Sequence, residues 1–415
     1  MTKPVQPSAQ RIWDHCEALA KLSELAGGLT RVYLSDEQRR ANELVLGWMR
    51  EAGMSARLDA AGNCVGRYEG ERPGLPALVL GSHLDTVRDA GKYDGMLGVV
   101  AGIECVHALN ARGRRLPFAI EVIGFADEEG TRFNATLLGS RAVAGTFRKE
   151  VLDAVDRNGL SMREALARFD LDPERIGDAA KRKEDVLAYA ELHIEQGPVL
   201  EAEGLPVGVV TAINGANRYA IEVDGMAGHA GTVPMSLRQD AMAAAAECVL
   251  AVERRGRAEP ELVATVGKLE CLPGAVNVVP GKVMFTIDIR SPRDPSRLAA
   301  AADLVRELQA ICDRRGVHVK IAKTHEGKTA PCADWLQAQI GEAISAEGLP
   351  VRKLPSGAGH DGMAMIDLAD IGMLFVRCEK GISHNPAEAI TLADAETGAR
   401  VFLRFIESFD PKRKT

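Results

Sequence analysis

The chain has 415 residues and a formal net charge of −7, enough for two or three domains at about 150 residues each. Its Lys and Arg residues are scattered, without the basic stripe that nucleic acid or an anionic membrane surface would call for, and no apolar run approaches the ~20 residues of a membrane helix. Eight cysteines without a CxxC pair or a disulfide-framework spacing, and a start carrying Pro4 and Pro7 in place of a basic segment and apolar core, point to a soluble cytoplasmic protein with free thiols, acting on a small polar or anionic metabolite.

Ser35 followed by Gln38 is a capping-box pattern, and Gly53 suits the position just past a helix end. The stretch between them, "RRANELVLGWMREAG", is predicted helical, with Leu44, Trp48 and Met49 in the core. Ala77 to Gly81 reads as a short buried strand that delivers His83, Asp85 and then Asp94 into Gly-rich loops. A helix over 97–109 and a strand at "PFAIEVIGFA" follow, and this alternation predicts an α/β domain with a mixed, largely parallel sheet. The charged segment 147–186 reads as surface helices without metal ligands, after which "VLAYAELHIEQG" returns to the sheet.

The texture changes near Ala212. "RYAIEVDG", "ELVATVGKLE", "KVMFTIDIR" and "VHVKIAK" alternate like half-buried strands, and two long helical patterns, at "RQDAMAAAAECVLAVERRG" and "PSRLAAAADLVRELQAICDRRG", separate them into a β-α-β-β-α-β order. That is the ferredoxin-like split unit. It is predicted as an insertion over 212–328 between a catalytic domain's first part, 1–211, and its second part, 329–415, which adds a helix at "PCADWLQAQIGEAISAEG", a strand at "IGMLFVRC" and a closing helix at "DAETGARVFLRFIESF".

Each strand of the first domain ends in side chains able to hold a metal: His83 and Asp94, then "DEEG" with Asp127, Glu128 and Glu129, then His193 in "ELHIEQG", then His384 in "GISHNPAE". Ligand sites form where the carboxyl ends of parallel strands meet loops, and mixed imidazole and carboxylate donors suit zinc or manganese better than magnesium or calcium. A two-metal site needs a carboxylate shared by both ions, and Asp94 is the candidate. Adjacent residues leaving a strand point in different directions, so Glu129 is assigned as a ligand and Glu128 as the base that takes a proton from water and returns it to a leaving amine.

"GSHLDTV", "KYDGMLGV", "DEEGTRF", "HIEQGP", "GHAGTVPM" and "GISHNPAE" occur in this order along nearly the whole chain. Together they closely resemble the hydantoinase/carbamoylase branch of the zinc-dependent M20 peptidase-like amidohydrolases, which includes allantoate amidohydrolase, N-carbamoyl-L-amino-acid hydrolase and β-ureidopropionase. The resemblance implies a zinc-peptidase-type catalytic domain with a dimerisation or lid insert, and two divalent ions, zinc first with manganese or cobalt as alternatives. It implies metal ligands at His83, Asp94, Glu129, His193 and His384, the base at Glu128, and Asp85 as the partner of His83. His193 is typically a carboxylate in the peptidase branch, which argues against a dipeptidase or aminoacylase; the complete ligand set argues against a metal-dead binding protein.

The same resemblance implies that His229 stabilises the developing oxyanion, that Arg290 grips a substrate carboxylate, that Asn277 and Gln196 hydrogen-bond the substrate, and that Gly359 offers backbone. The G-x-G-x-x-G match from Gly357 to Gly362 follows "KLPS" instead of an apolar strand, so a dinucleotide site is not expected; His360 within it has no assigned role. No G-x-S-x-G occurs, and covalent catalysis is disfavoured. The expected activity is cleavage of the carbamoyl (ureido) C–N bond of a small carboxylate, allantoate first, with N-carbamoyl-L-amino acids and N-carbamoyl-β-alanine as alternatives. Exposed sheet edges in the insert, which proteins rarely leave unpaired, predict a homodimer.

Overall fold

In the computed structural model, which describes residues 5–414, the strands Ala119–Phe125, Ala77–His83, Val186–Ile194 and Ile371–Val376 lie side by side in that order, all parallel. They are buried along almost their whole lengths, as strands covered on both faces must be. Antiparallel strands flank them, Cys64–Tyr68 and Ser55–Leu58 on one side and Val207–Ile213 on the other. The four parallel strands are the four that the sequence endows with ligand-capable ends, so all of those ends open on one edge of the sheet.

Helix Met96–Ala111 begins two residues after Asp94 and is buried on nearly every face. It shares a core with helices Ala9–Ala20, Asp36–Glu51 and Leu392–Ser408. In Asp36–Glu51, Ser35 caps the first turn through Gln38 N, while Gln38 Oε1 accepts from Leu34 N at 2.6 Å. Only Met49 of the three expected core residues is fully buried: the stripe facing inward runs Ala41, Val45, Met49, one turn apart, which turns Leu44 outward and leaves Trp48 half-buried, stacked on His15.

Segment 147–186 is not a set of surface helices. It holds one short α-helix, Met162–Arg168, and 3-10 turns at Lys149–Asp153, Pro173–Ala179 and Lys183–Asp185. Its Leu152, Met162, Leu166, Phe169 and Ile176 bury themselves with Tyr33, Ala126 and Phe133 in a small separate core, so the charges are the outer face of a packed cap.

The chain divides into two compact units. One comprises the described residues through Thr211 with Pro331–Leu354 and Ala358 onward; the other is Ala212–Ala330 with Pro355–Gly357. The second unit therefore ends two residues later than 328, the end read from the sequence, and recruits three residues from further along. Its antiparallel sheet runs Leu269–Leu272, Lys282–Ser291, Gly215–Asp224, His318–Gly327, the strand order of the split β-α-β-β-α-β unit. Helices Ala241–Arg257 and Asp294–Arg314 supply its core with Val283, Phe285, Ile287 and Ile289. The strand expected over "ELVATVGKLE" is broken around Gly267 into Val263–Thr265 and Leu269–Leu272, both paired to Lys282–Ser291. All eight cysteines are free thiols, and among the described residues no helix is long and apolar enough to cross a membrane.

Candidate metal centre

Two strands end on buried imidazoles that face one carboxylate. His83 is the last residue of its strand, and its Nδ1 lies 3.0 Å from the carbonyl oxygen of Asp85. His193 is the penultimate residue of its strand, with Nδ1 2.9 Å from the carbonyl oxygen of Ile194. A carbonyl only accepts, so both Nδ1 atoms carry a proton, and Nε2 is the atom of each ring that can present a lone pair when the ring is neutral. Those Nε2 atoms stand 3.6 Å and 3.1 Å from Asp94 Oδ1. His384 reaches the other oxygen: its Nε2 is 3.2 Å from Asp94 Oδ2 and 3.5 Å from Glu129 Oε1.

Asp94 is thus common to two sets, His83 with His193 and Glu129 with His384; within each, the ligand-capable atoms lie within 4.8 Å of one another. The close packing needs glycine beside it. Gly95 has φ +74°, and a Cβ there would come 2.5 Å from the His83 ring, so both the backbone and the space exclude other residues.

Asp85 departs from its expected role in detail. Its carbonyl, not its carboxylate, holds His83; the carboxylate is 3.6 Å away and instead accepts Glu128 N at 2.9 Å and Glu129 N at 3.1 Å. The chain direction after His83 carries this side chain toward the turn at the end of the neighbouring strand, so one residue orients an imidazole with its backbone and two glutamates with its side chain.

The electrostatics are those of an anionic cluster. Burial raises the Glu128 carboxyl to about 7, with Asp85 and Asp94 adding to the effect and His83 opposing it; burial and then the charge of Glu128 raise Glu129 to about 10. Burial would raise Asp94 too, but hydrogen bonds from His193, His384 and His83 hold it well below the usual carboxylate range. Among the described residues, its ion-pair partners are histidines alone, and no Lys or Arg pairs with Glu128 or Glu129. Inward-facing imidazole lone pairs, clustered carboxylates and no fixed cation fit two divalent metal ions with nitrogen and oxygen ligands.

Gln196, expected to touch substrate, donates Nε2 to Asp94 Oδ2 at 2.9 Å and to Ser383 Oγ at 3.1 Å, while its buried Oε1 has no partner. Gly359 lies against Glu128: a Cβ there would be 3.4 Å from Glu128 Oε1. His360 packs edge-on against His193 with ring centroids 4.4 Å apart. Sequence reasoning missed Ser383 and Glu388, both inside the quoted "GISHNPAE", and Glu191, buried two residues before His193 and hydrogen-bonded by Ser82 and Tyr189. The signal for the first two was their place in a ligand-bearing loop.

The remaining expected residues belong to the second unit. His229 and Asn277 are exposed, at a two-stranded ribbon formed by Gly228–His229 with Val278–Val279, beside which Ala230 N donates to Asn277 O at 2.9 Å. Arg290 donates Nε and Nη2 to Asp288 at 3.0 Å and 2.9 Å, and Nη1 to Gly357 O at 2.7 Å. It borders a cavity of about 630 Å³ with Arg218, Tyr219 and Thr286.

Residues 79–408 match the sequence profile of peptidase family M20/M25/M40. An N-carbamoyl-L-amino acid amidohydrolase of Geobacillus stearothermophilus is 42% identical over 393 residues, covering 94% of this chain and 96% of the relative. An allantoate deiminase of Arabidopsis thaliana is 40% identical over 431 residues, covering 94% and 82%. The crystal structure of an amidase of the hydantoinase/carbamoylase family from Burkholderia multivorans superposes with a TM-score of 0.92 at 34% identity, covering 98% of each chain.

Proposed function

Since the chain belongs to peptidase family M20/M25/M40, we propose that its strand-end cluster holds two divalent ions, zinc first, and cleaves the carbamoyl C–N bond of a small carboxylate, allantoate first. The chain is a hydrolase of C–N bonds, as are its N-carbamoyl-amino-acid and allantoate relatives. The observation that carries the reading is Asp94, with one oxygen facing His83 and His193 and the other facing His384, beside the buried Glu128.

His83, Asp94 and His193 would hold one ion, and Asp94, Glu129 and His384 the other. Bound there, the ions act as Lewis acids and acidify the attacking water. Glu128, with its carboxyl raised to about 7 by burial, is matched to general acid–base work near neutrality. It takes a proton as the water oxygen bonds to the carbamoyl carbon, and gives it to the nitrogen that leaves as the C–N bond breaks; the carbamate left behind then loses carbon dioxide as its own C–N bond breaks, so that ammonia, carbon dioxide and the amine result. The unpartnered Oε1 of Gln196 is an acceptor left for a substrate N–H. Arg290, which spends three of its donors on Asp288 and Gly357, keeps others for a substrate carboxylate, and His229 donates to the developing oxyanion.

The protein acts as a cytoplasmic homodimer joined through the second unit, with His229 serving the partner's site. Exposed Met226, Met235, Leu237 and Val276 sit on the segments that carry His229 and Asn277, an apolar surface that a second copy would cover. The reading is tested by ammonia release from allantoate, N-carbamoyl-L-amino acids, N-carbamoyl-β-alanine and a dipeptide panel, with metal-loaded protein. Turnover of dipeptides alone would overturn it. N-carbamoyl-L-amino acids are the second substrate class, favoured by the 42% identity to the Geobacillus enzyme.

A further inference from the structure

A buried carboxylate outside the ligand set joins two of the ligand loops. Glu388 lies four residues beyond His384 and is 4% exposed. Its Oε1 accepts the backbone N–H of Tyr93 at 2.8 Å and of Asp94 at 3.1 Å, and its Oε2 accepts Ser383 Oγ at 2.9 Å. Ser383 Oγ is in turn 3.1 Å from Asp94 Oδ2, the oxygen that Gln196 also bonds. The Asp94 side chain is held by Gln196 and its backbone by Glu388, while the single hydroxyl proton of Ser383 serves either Glu388 or Asp94; Ser383 and Glu388 both come from the loop that carries His384.

Burying a carboxylate costs several kcal/mol unless its oxygens are well bonded. Here the bonds go to no helix cap; they go to the backbone of a loop 294 residues away in sequence. The opposite loop makes room for it. A Cβ on Gly91 would lie 2.2 Å from the Glu388 carboxyl carbon, so the loop before Asp94 can close down on Glu388 only as glycine.

We propose that Glu388 is a positioning residue that fixes the shared carboxylate Asp94 and locks the His384 loop to the Asp94 loop, so that both metal sites form as one unit. This rests on the dinuclear reading above. A residue that merely shaped the His384 loop would affect only the ion held by His384. One that places Asp94 must affect both, because Asp94 belongs to both sets, and partners of this kind typically change metal affinity 10–100-fold.

The test is zinc binding by purified protein stripped with a chelator, followed by competition with a chromophoric chelator, for the natural chain, His384→Ala, Glu388→Ala, Glu388→Gln and Ser383→Ala. Circular dichroism and the melting profile of each stripped protein control for folding. The expected results are two zinc ions per natural chain, one tight ion for His384→Ala, and affinity lowered about 10–100-fold at both sites for Glu388→Ala. Glu388→Gln, which keeps one acceptor for the two N–H groups, should recover part of the loss. Should Glu388→Ala not fold, Glu388→Gln and Ser383→Ala must still weaken both sites in parallel. Natural affinity at both sites in the Glu388 variants, or loss confined to one ion, overturns the proposal while leaving the dinuclear reading intact. A natural chain that binds no zinc, manganese or cobalt overturns both.

Discussion

Asp85→Asn separates the two jobs assigned to one residue. The carbonyl of Asp85 orients His83 and survives the change; the carboxylate, which accepts Glu128 N at 2.9 Å and Glu129 N at 3.1 Å, does not. An amide has one acceptor oxygen, so one of the two N–H groups must face the new NH₂. Hydrogen bonds to charged groups contribute about 1.5–3 kcal/mol each, and an unpaired buried donor costs about 1–3 kcal/mol. One neighbour gains: Asp127, whose carboxyl is driven well up by burial and then by Asp85, loses an adjacent negative charge. The expected net loss is therefore about 2–4 kcal/mol, read as a lower urea midpoint at unchanged slope.

The effect on activity should be larger than the effect on metal content. With His83 still oriented, both ions should remain, but the turn that aims Glu128 is released, and a misplacement of ~1 Å can cost on the order of 10²-fold in rate. The checks are zinc per chain, urea unfolding of the stripped protein, and ammonia release from the preferred substrate. Stability within about 0.5 kcal/mol and turnover within a factor of about two would refute the role given to the carboxylate. Loss of the ion held by His83 would instead show that the carboxylate acts through that imidazole, 3.6 Å away.

Glu128→Gln should keep both metals and lose about 10²–10⁴ in turnover; loss of metal would mean that Glu128 and Glu129 have exchanged roles. Arg290→Lys should fail to restore the activity lost in Arg290→Ala on carboxylate substrates, since an ammonium cannot reproduce the planar fork, and normal turnover by the alanine variant would remove Arg290 from the site. Mixing inactive Glu128→Gln with inactive His229→Ala under subunit exchange should restore activity, because a histidine acting on the partner's site leaves one intact site per heterodimer; a mixture that stays inactive places His229 in its own subunit. Stripped protein should be less stable at pH 9 than at pH 5. Glu128 and Glu129 have folded values raised to about 7 and about 10, so they bind more protons folded than unfolded, and stability falls as pH rises through that window. Denaturant unfolding at the two pH values checks the sign, and equal or greater stability at pH 9 would refute it.

The parallel sheet and its ligand-capable residues were legible because buried strands leave unbroken apolar runs and the polar residues that end them stand out: His83, His193 and the 128–129 pair all follow such runs. The split unit was legible from strict alternation, as in Val283, Phe285, Ile287 and Ile289. Other features had no such signal. Whether Leu44 or Ala41 faces inward depends on where one helix rests on its neighbours, since apolar residues occur on both sides of the stripe. The cap built by 147–186 reads as surface because its Arg and Glu residues outnumber the few side chains it buries. Asp85 and Gln196 show a third limit, since a residue type and a motif identify a polar role but not which of its atoms performs it.

The position of Asp94 explains why ligand-capable residues from four strands can be read so readily while the residues that orient them cannot. A ligand must present a particular atom at a particular point, which restricts residue type to His, Asp or Glu at a strand end. An orienting group must only offer an acceptor or a donor, and a backbone carbonyl does as well as a side chain: His83 and His193 are both held by main-chain oxygens, which leave no trace in the sequence. At Glu388 a side chain is used, and the groups it holds, Tyr93 N and Asp94 N, are themselves backbone N–H. The cluster thus carries its chemical identity in residue type and much of its geometry in the main chain, and the points where a side chain does the holding, Asp85 on Glu128 and Glu129, Glu388 on Tyr93 and Asp94, and Gln196 on Asp94, open that geometry to substitution.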